Sequence, residues 1–176
     1  MVKKFVVAAI LVLSFVFVSM PLGAAYAAAP PKVFPAFSSQ NIDGNPVTGD
    51  IFSGKKLTMI NLWATWCPPC IYEMPDLGNL ARSMPEGSQL VGIVLDVEGP
   101  NDSENIGDAK EIISDSNADF LQILPIEEMI PVLRWIEAIP TTIFVDSKGQ
   151  IIGDFVIGMR DEDDYRTEVE NRLKSM

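Results

Sequence analysis

Cys67 and Cys70 are the two cysteines of this 176-residue chain, set three positions apart in the run Trp66-Cys67-Pro68-Pro69-Cys70. Two thiols at that spacing can close a small disulfide ring at the start of a helix. Pro68 and Pro69 suit the first helical turn, where a missing N–H leaves no bond unmade. Cys67 then lies near unpaired backbone N–H groups and the positive end of the helix dipole. Such placement lowers a cysteine thiol from about 8.5 into a range of roughly 3.5 to 7.5. The thiolate is the species that attacks a disulfide. Cys67 is therefore the expected nucleophile, and Cys70, one turn deeper, the thiol that resolves the mixed disulfide.

Two other uses of the pair stand beside this one. A structural bridge is the first, but so short a loop gains little stability from closure. The second is a metal pair that holds a soft ion such as Cu(I), which would make the chain a copper-delivery module with no catalytic role. The chain has no histidine, which excludes Cys–His and Ser–His dyads. Two thiolates supply only half of the four ligands of a structural zinc site. A CxxC pair between a buried strand and a helix favours redox exchange, and that chemistry needs no cofactor.

The elements that must position the pair are legible on either side of it. Leu57 to Ala64 is an apolar run of β-formers and reads as a buried strand ending at the motif. A helix should run from Pro68 through Leu77, Leu80 and Ala81 towards Met84, kinked at Pro75 and stopped by Pro85 and Gly87. Before the strand, Ala36 to Val47 reads as a short hairpin turning at Asp43-Gly44. After the helix, Gln89 to Val97 reads as a second buried strand and Glu98 to Asn105 as a polar loop. Asp108 to Ser116 should be helical, Phe120 to Leu124 a short strand, and Ile126 to Trp135 a short helical region. Ile143 to Val145 is a strand, Ser147-Lys148-Gly149 a turn, and Gln150 to Ile157 the returning strand. A last helix, Asp161 to Ser175, places Tyr165, Val169 and Leu173 on one face. Its opening acids suit the helix dipole. The order predicts an α/β domain with a mixed central sheet flanked by helices.

Residues 1–27 have another character. Lys3 and Lys4 precede an uncharged apolar run from Phe5 to Val18, and Ala25-Tyr26-Ala27 is a small-x-small cleavage site. That is the layout of a secretory signal peptide. The apolar run is 14 residues, short of the roughly 20 that span a bilayer; an uncleaved tether is the alternative. Residues 28–35, rich in alanine and proline, read as a linker, and 36–176 as the domain. Cleavage removes two lysines and no acid, taking the net charge from −11 to −13. Such a surface repels nucleic acid and anionic lipid.

Two patterns come close to other chemistries and fail. Gly49 to Lys56 reads GxxxxGKK, but Lys56 stands where a P-loop needs Ser or Thr, and the run precedes a strand instead of following one. A peroxidatic P-x-x-x-[TS]-x-x-C pattern is absent before either cysteine: Ile60 and Ala64 fill those positions for Cys67, Trp63 and Cys67 for Cys70.

The segment Asn61-Leu62-Trp63-Ala64-Thr65-Trp66-Cys67-Pro68-Pro69-Cys70-Ile71-Tyr72-Glu73-Met74-Pro75 resembles the active-site segment of the TlpA/ResA-like branch of thioredoxins. Ile139-Pro140-Thr141-Thr142 is similar to that family's cis-proline loop. The resemblance covers about 34–176. It implies a thioredoxin fold with an N-terminal hairpin and a central insertion, here the polar stretch from Val97 to Leu124. It also implies an exported dithiol–disulfide exchange enzyme, a reductant of protein disulfides that acts as a monomer and is recharged by a membrane thiol carrier. Pro140 would be cis. Trp66, Pro68, Pro69, Ile139, Pro140 and Thr141 would form the surface that meets substrate. Glu73 matches a buried acid near the thiols in this branch. Ordinary thioredoxins carry an aspartate in the preceding strand, where this chain has Asn61, which cannot titrate. Trp63 is expected in the core, and Trp66 over the edge of the disulfide.

Overall fold

The computed structural model describes residues 29–176; the expected signal peptide and its cleavage site lie outside them. Seven strands and four helices follow in the order β1 (Ser38–Gln40), β2 (Pro46–Thr48), β3 (Leu57–Trp63), α1 (Pro68–Arg82), β4 (Ser88–Val94), α2 (Ser103–Asp115), β5 (Leu121–Ile123), α3 (Ile130–Leu133), β6 (Thr141–Asp146), β7 (Val156–Ile157) and α4 (Glu162–Ser175). The central sheet has the order β5-β4-β3-β6-β7. β3 runs parallel to β4 and antiparallel to β6, so the sheet is mixed. This is the thioredoxin fold.

β3 is buried along its whole length, as a strand covered on both faces must be. Its alternate residues point to opposite sides. Leu57, Met59 and Trp63 pack with Met74, Leu77 and Leu80 of α1, Ala109 of α2, and Tyr165 and Val169 of α4. Ile60 and Leu62 pack with Phe34, Phe37 and Phe52 from the N-terminal segment and with Met129 and Val132 at α3. The β1–β2 hairpin turns where the Asn41 side chain accepts from the Asp43 and Asn45 amides, with Gly44 at φ +83°. It covers the edge of β5 through hydrogen bonds from the Ile42 amide to the Gln122 carbonyl and from the Leu124 amide to the Gln40 carbonyl. An exposed strand edge is thereby closed to other chains.

Three boundaries differ from the expectation. The supposed linker is part of the domain from Lys32 on. The Ile151 amide donates to the Lys32 carbonyl, the Phe34 amide to the Gly149 carbonyl, and the Phe34 ring is buried against Phe37 and Phe52. The loop expected over Glu98 to Asn105 ends early, because Asp102 caps α2 by accepting from the Asn105 amide. The returning strand shrinks from Gln150–Ile157 to Val156–Ile157. Gly153 has φ +72°, and the Ile152 and Asp154 carbonyls accept from the Arg172 guanidinium on α4. Those backbone groups are used by a side chain and not by a ladder.

Candidate active site

The chain leaves β3 at Trp63 and enters α1 at Pro68, and the connection is held from β4. The Thr65 amide and hydroxyl both donate to the Asp96 carboxylate, the hydroxyl at 2.6 Å. The Leu95 amide donates to the Trp63 carbonyl at 2.8 Å. Asp96 was not among the residues singled out from the sequence. Its position directly beyond a buried strand is the one sign it gave.

Cys67 is the N-cap residue of α1, in extended conformation, and its sulfur accepts from the Cys70 amide at 3.4 Å. Pro68 and Pro69 fill the first turn. The two cysteines are joined in a disulfide with their Cα atoms 5.3 Å apart. Cys67 is 3 % exposed and Cys70 fully buried, so one sulfur lies at the rim and the other beneath it. Pro68 is exposed and Pro69 half-buried. Trp66 projects into solvent, 69 % exposed, as does Tyr72 at 72 %. Trp63 is fully buried, its indole N–H donating to Gln122 at 2.9 Å.

The second segment arrives at the start of β6. The Ile139–Pro140 peptide bond is cis. The Ile139 carbonyl oxygen lies 3.7 Å from the Cys67 sulfur, and the Pro140 carbonyl accepts from the Gly158 amide. Ile139 is half-buried and Pro140 buried. Thr141 departs from its expected place on the substrate surface. It pairs with Leu62 on one side and Ile157 on the other, is 1 % exposed, and turns its hydroxyl onto the Ala138 carbonyl. Its side chain therefore faces the protein.

Glu73 lies on α1 beyond Cys70 and is fully buried. It accepts from Asn61 Nδ2 at 2.8 Å, from the Tyr165 hydroxyl at 2.9 Å and from the Arg160 amide at 3.1 Å. Burial pushes its carboxyl up from 4.5 to about 7; the three donors and the Arg160 charge act against that rise. Burial, and then the charge of Glu73, raise the Tyr165 hydroxyl, which stays protonated. Glu73 is thus a carboxyl that takes or gives a proton near neutral pH. Sequence reasoning placed Glu73 and Asn61 but missed Tyr165 and Arg160, which reach the site from the far end of the chain. Among the described residues, no group of three or more Cys, Asp or Glu side chains is placed to hold a metal ion.

A buried disulfide rim, an adjacent cis-proline loop and a protonatable carboxyl suit thiol–disulfide exchange. The comparisons with known proteins agree. The Redoxin family model matches residues 29–171. The thiol:disulfide interchange protein DsbE of Pseudomonas fluorescens biotype C is 28% identical over 145 residues, 82% of this chain and 76% of that one. The thiol-disulfide oxidoreductase ResA of Oceanobacillus iheyensis is 31% identical over 119 residues, 64% of this chain and 55% of that one. The crystal structure of a thiol:disulfide interchange protein of the thioredoxin family from Chlorobium tepidum TLS superposes with a TM-score of 0.67 at 27% identity, covering 84% of this chain and 99% of that one. The chain belongs to the Redoxin family and is a thioredoxin-like thiol–disulfide oxidoreductase.

Proposed function

We propose that the protein is a reductant of disulfides in exported proteins, working outside the cytoplasmic membrane. In the reduced enzyme the Cys67 thiolate attacks a substrate disulfide. A Cys67–substrate mixed disulfide forms, and the first substrate sulfur leaves and takes a proton. Cys70 then loses its proton to Glu73 and attacks the Cys67 sulfur. The second substrate sulfur leaves and is protonated, and the Cys67–Cys70 disulfide remains. Two electrons and two protons have passed to the substrate. A membrane thiol carrier returns the electrons.

The observation that carries the exchange chemistry is the pairing of a rim sulfur at a helix start with a buried carboxyl of pKa about 7 on the same helix; the reducing direction follows the family resemblance of the Asn61–Pro75 segment. Trp66, Pro68 and Ile139 offer apolar contact around Cys67, with Pro69 beside them and Pro140 shaping the loop. The direction of flow is tested by the reduction potential of the Cys67–Cys70 pair in glutathione or dithiothreitol buffers. A value close to the roughly −270 mV of thioredoxin supports a reductant. A value near the roughly −120 mV of a strong oxidant means that the protein donates disulfides instead.

The location rests on the Lys3/Lys4 start, the apolar run and the Ala25-Tyr26-Ala27 site. N-terminal sequencing of the native protein should begin near Ala28. A chain still starting at Met1 in the membrane fraction would indicate the tethered form.

A further inference from the structure

Glu73 is one member of a closed ring of buried side chains drawn from four elements. Asn61 on β3 donates Nδ2 to one carboxylate oxygen at 2.8 Å, and Tyr165 on α4 donates its hydroxyl to the other at 2.9 Å. Thr142 on β6 links these two partners. Its hydroxyl donates to the Tyr165 oxygen at 3.3 Å and accepts from Asn61 Nδ2 at 3.4 Å. All four residues are 0 % exposed.

The hydrogen bonds of this ring have a direction. Every one runs from the Asn61 amide towards Glu73, either directly or through Thr142 and Tyr165. The remaining partner, the Arg160 amide, is also a donor. An ionised carboxylate only accepts and suits this arrangement, whereas a carboxylic acid must also donate. One buried acceptor beside Glu73 has no partner at all, and it is Asn61 Oδ1. An unpaired buried carbonyl oxygen is costly unless some state of the protein uses it.

We propose that Tyr165 is a positioning residue of the exchange reaction: with Thr142 and Asn61 it holds Glu73 as an ionised acceptor, and when Glu73 takes a proton the Asn61 amide turns so that Oδ1 accepts a hydrogen bond from the protonated carboxyl. The proposal rests on the reading that Glu73 exchanges protons with the cysteine pair. No electrons move in this step. The proton passes from the Cys70 thiol to Glu73, stays on the carboxyl while Asn61 Oδ1 accepts its hydrogen bond, and leaves with the substrate thiol. The pKa of about 7 fits a carboxyl that burial raises and these donors pull back. The Arg160 guanidinium also favours the ionised form. The acids at the start of α4 act elsewhere: partial burial, and then the charges of Asp161, Glu162 and Asp163, raise Asp76.

The test is the Glu73 side-chain carboxyl resonance of the oxidised full chain, followed by NMR against pH in the wild type and in Tyr165→Phe. Loss of the hydroxyl removes one hydrogen bond to the charged form, so the Glu73 midpoint should rise by about one pH unit. In the wild type the Asn61 side-chain NH2 resonances should titrate at the Glu73 midpoint. In the reduced protein the pH profile of cysteine alkylation should move upward with Glu73. Should Tyr165→Phe not fold, Thr142→Val reads the same arm of the ring and should give a smaller rise. An unchanged Glu73 midpoint in the folded variant overturns the role of Tyr165, and an Asn61 amide that ignores the Glu73 titration overturns the turn of the amide. A Glu73 midpoint that moves while the alkylation profile stays still upholds the ring and removes Glu73 from the exchange.

Discussion

The Cys70 backbone N–H donates to the Cys67 sulfur at 3.4 Å, so the proposed nucleophile also caps helix α1. Chemistry and helix stability therefore share one side chain, and substitutions at Cys67 separate the two. Cys67→Ser and Cys67→Ala both lack the attacking thiolate and the disulfide, and both should lose insulin reduction completely. They should differ in stability. A serine oxygen is a strong N-cap acceptor and alanine has none, so Cys67→Ala should unfold about 1 kcal/mol more easily than Cys67→Ser. Urea unfolding of the two variants measures the difference. Equal stabilities would mean that a side-chain acceptor at position 67 does not cap the helix.

Cys70 is fully buried below Cys67 and cannot meet a folded substrate first. Cys70→Ser should leave the attack intact and stop the resolution. The variant should accumulate mixed disulfides that non-reducing electrophoresis separates and dithiothreitol releases. If Cys70→Ser turned over at the wild-type rate, a resolving thiol from the substrate would have to replace it.

Gly92 on β4 sits opposite Gln122 on β5. A Cβ there would collide with the Gln122 carboxamide, the group that accepts from the buried Trp63 indole N–H. Gly92→Ala should displace Gln122, leave the indole unpaired and cost about 1 to 3 kcal/mol. Adding Gln122→Ala to Gly92→Ala should cost little more, since the same hydrogen bond is already lost. Denaturant unfolding of the oxidised single and double variants checks both statements.

The parts of the molecule that could be read in advance are those where local chemistry and tertiary role coincide. β3 is an unbroken apolar run because both of its faces are covered, and α1 announces itself through Pro68 and Pro69. α2 begins with the polar run Ser103-Glu104-Asn105, and of the apolar stripe Ile106, Ala109, Ile112 and Ile113 only Ala109 is fully buried, so its first turn reads as loop. β7 is short because Arg172, on a distant helix, takes the carbonyls a ladder would have used. The same distance hid half of the site. Asn61 and Glu73 flank the cysteines in sequence, but Tyr165 lies 92 residues beyond Glu73 and reads there as an ordinary apolar-face position. Thr141 was misplaced for a related reason: its segment lies at the site, but the strand pairing that turns its side chain inward is set by Leu62 and Ile157.

Glu73 should make both stability and catalysis depend on pH in a way that one substitution removes. Its carboxyl titrates near 4.5 when exposed and at about 7 in the folded protein. Between those values the native state keeps a proton that the unfolded chain has lost, so stability falls as pH rises through that window and is level above it. With about 1.36 kcal/mol for each unit of difference, the loss from pH 4.5 to pH 8 is about 3 kcal/mol. Glu73→Gln does not ionise. Measured on the oxidised proteins, where no thiol titrates, the variant should gain about 2.5 kcal/mol on the wild type between pH 5 and pH 8, whatever its stability at pH 5. Catalysis should move the other way. Glutamine takes no proton from Cys70, so release of the second substrate thiol should slow by roughly 100-fold near pH 7, in the range typical of a lost acid–base group. It should recover at alkaline pH as the Cys70 thiol ionises unaided. The alkylation profile of the reduced variant should lose its inflection near pH 7, and because carboxyl and thiols titrate as a coupled set, the whole curve and not one midpoint is the quantity to compare. Superimposable profiles for wild type and Glu73→Gln, together with parallel stability curves, would show that Glu73 stays ionised in its buried site and that water accepts the Cys70 proton.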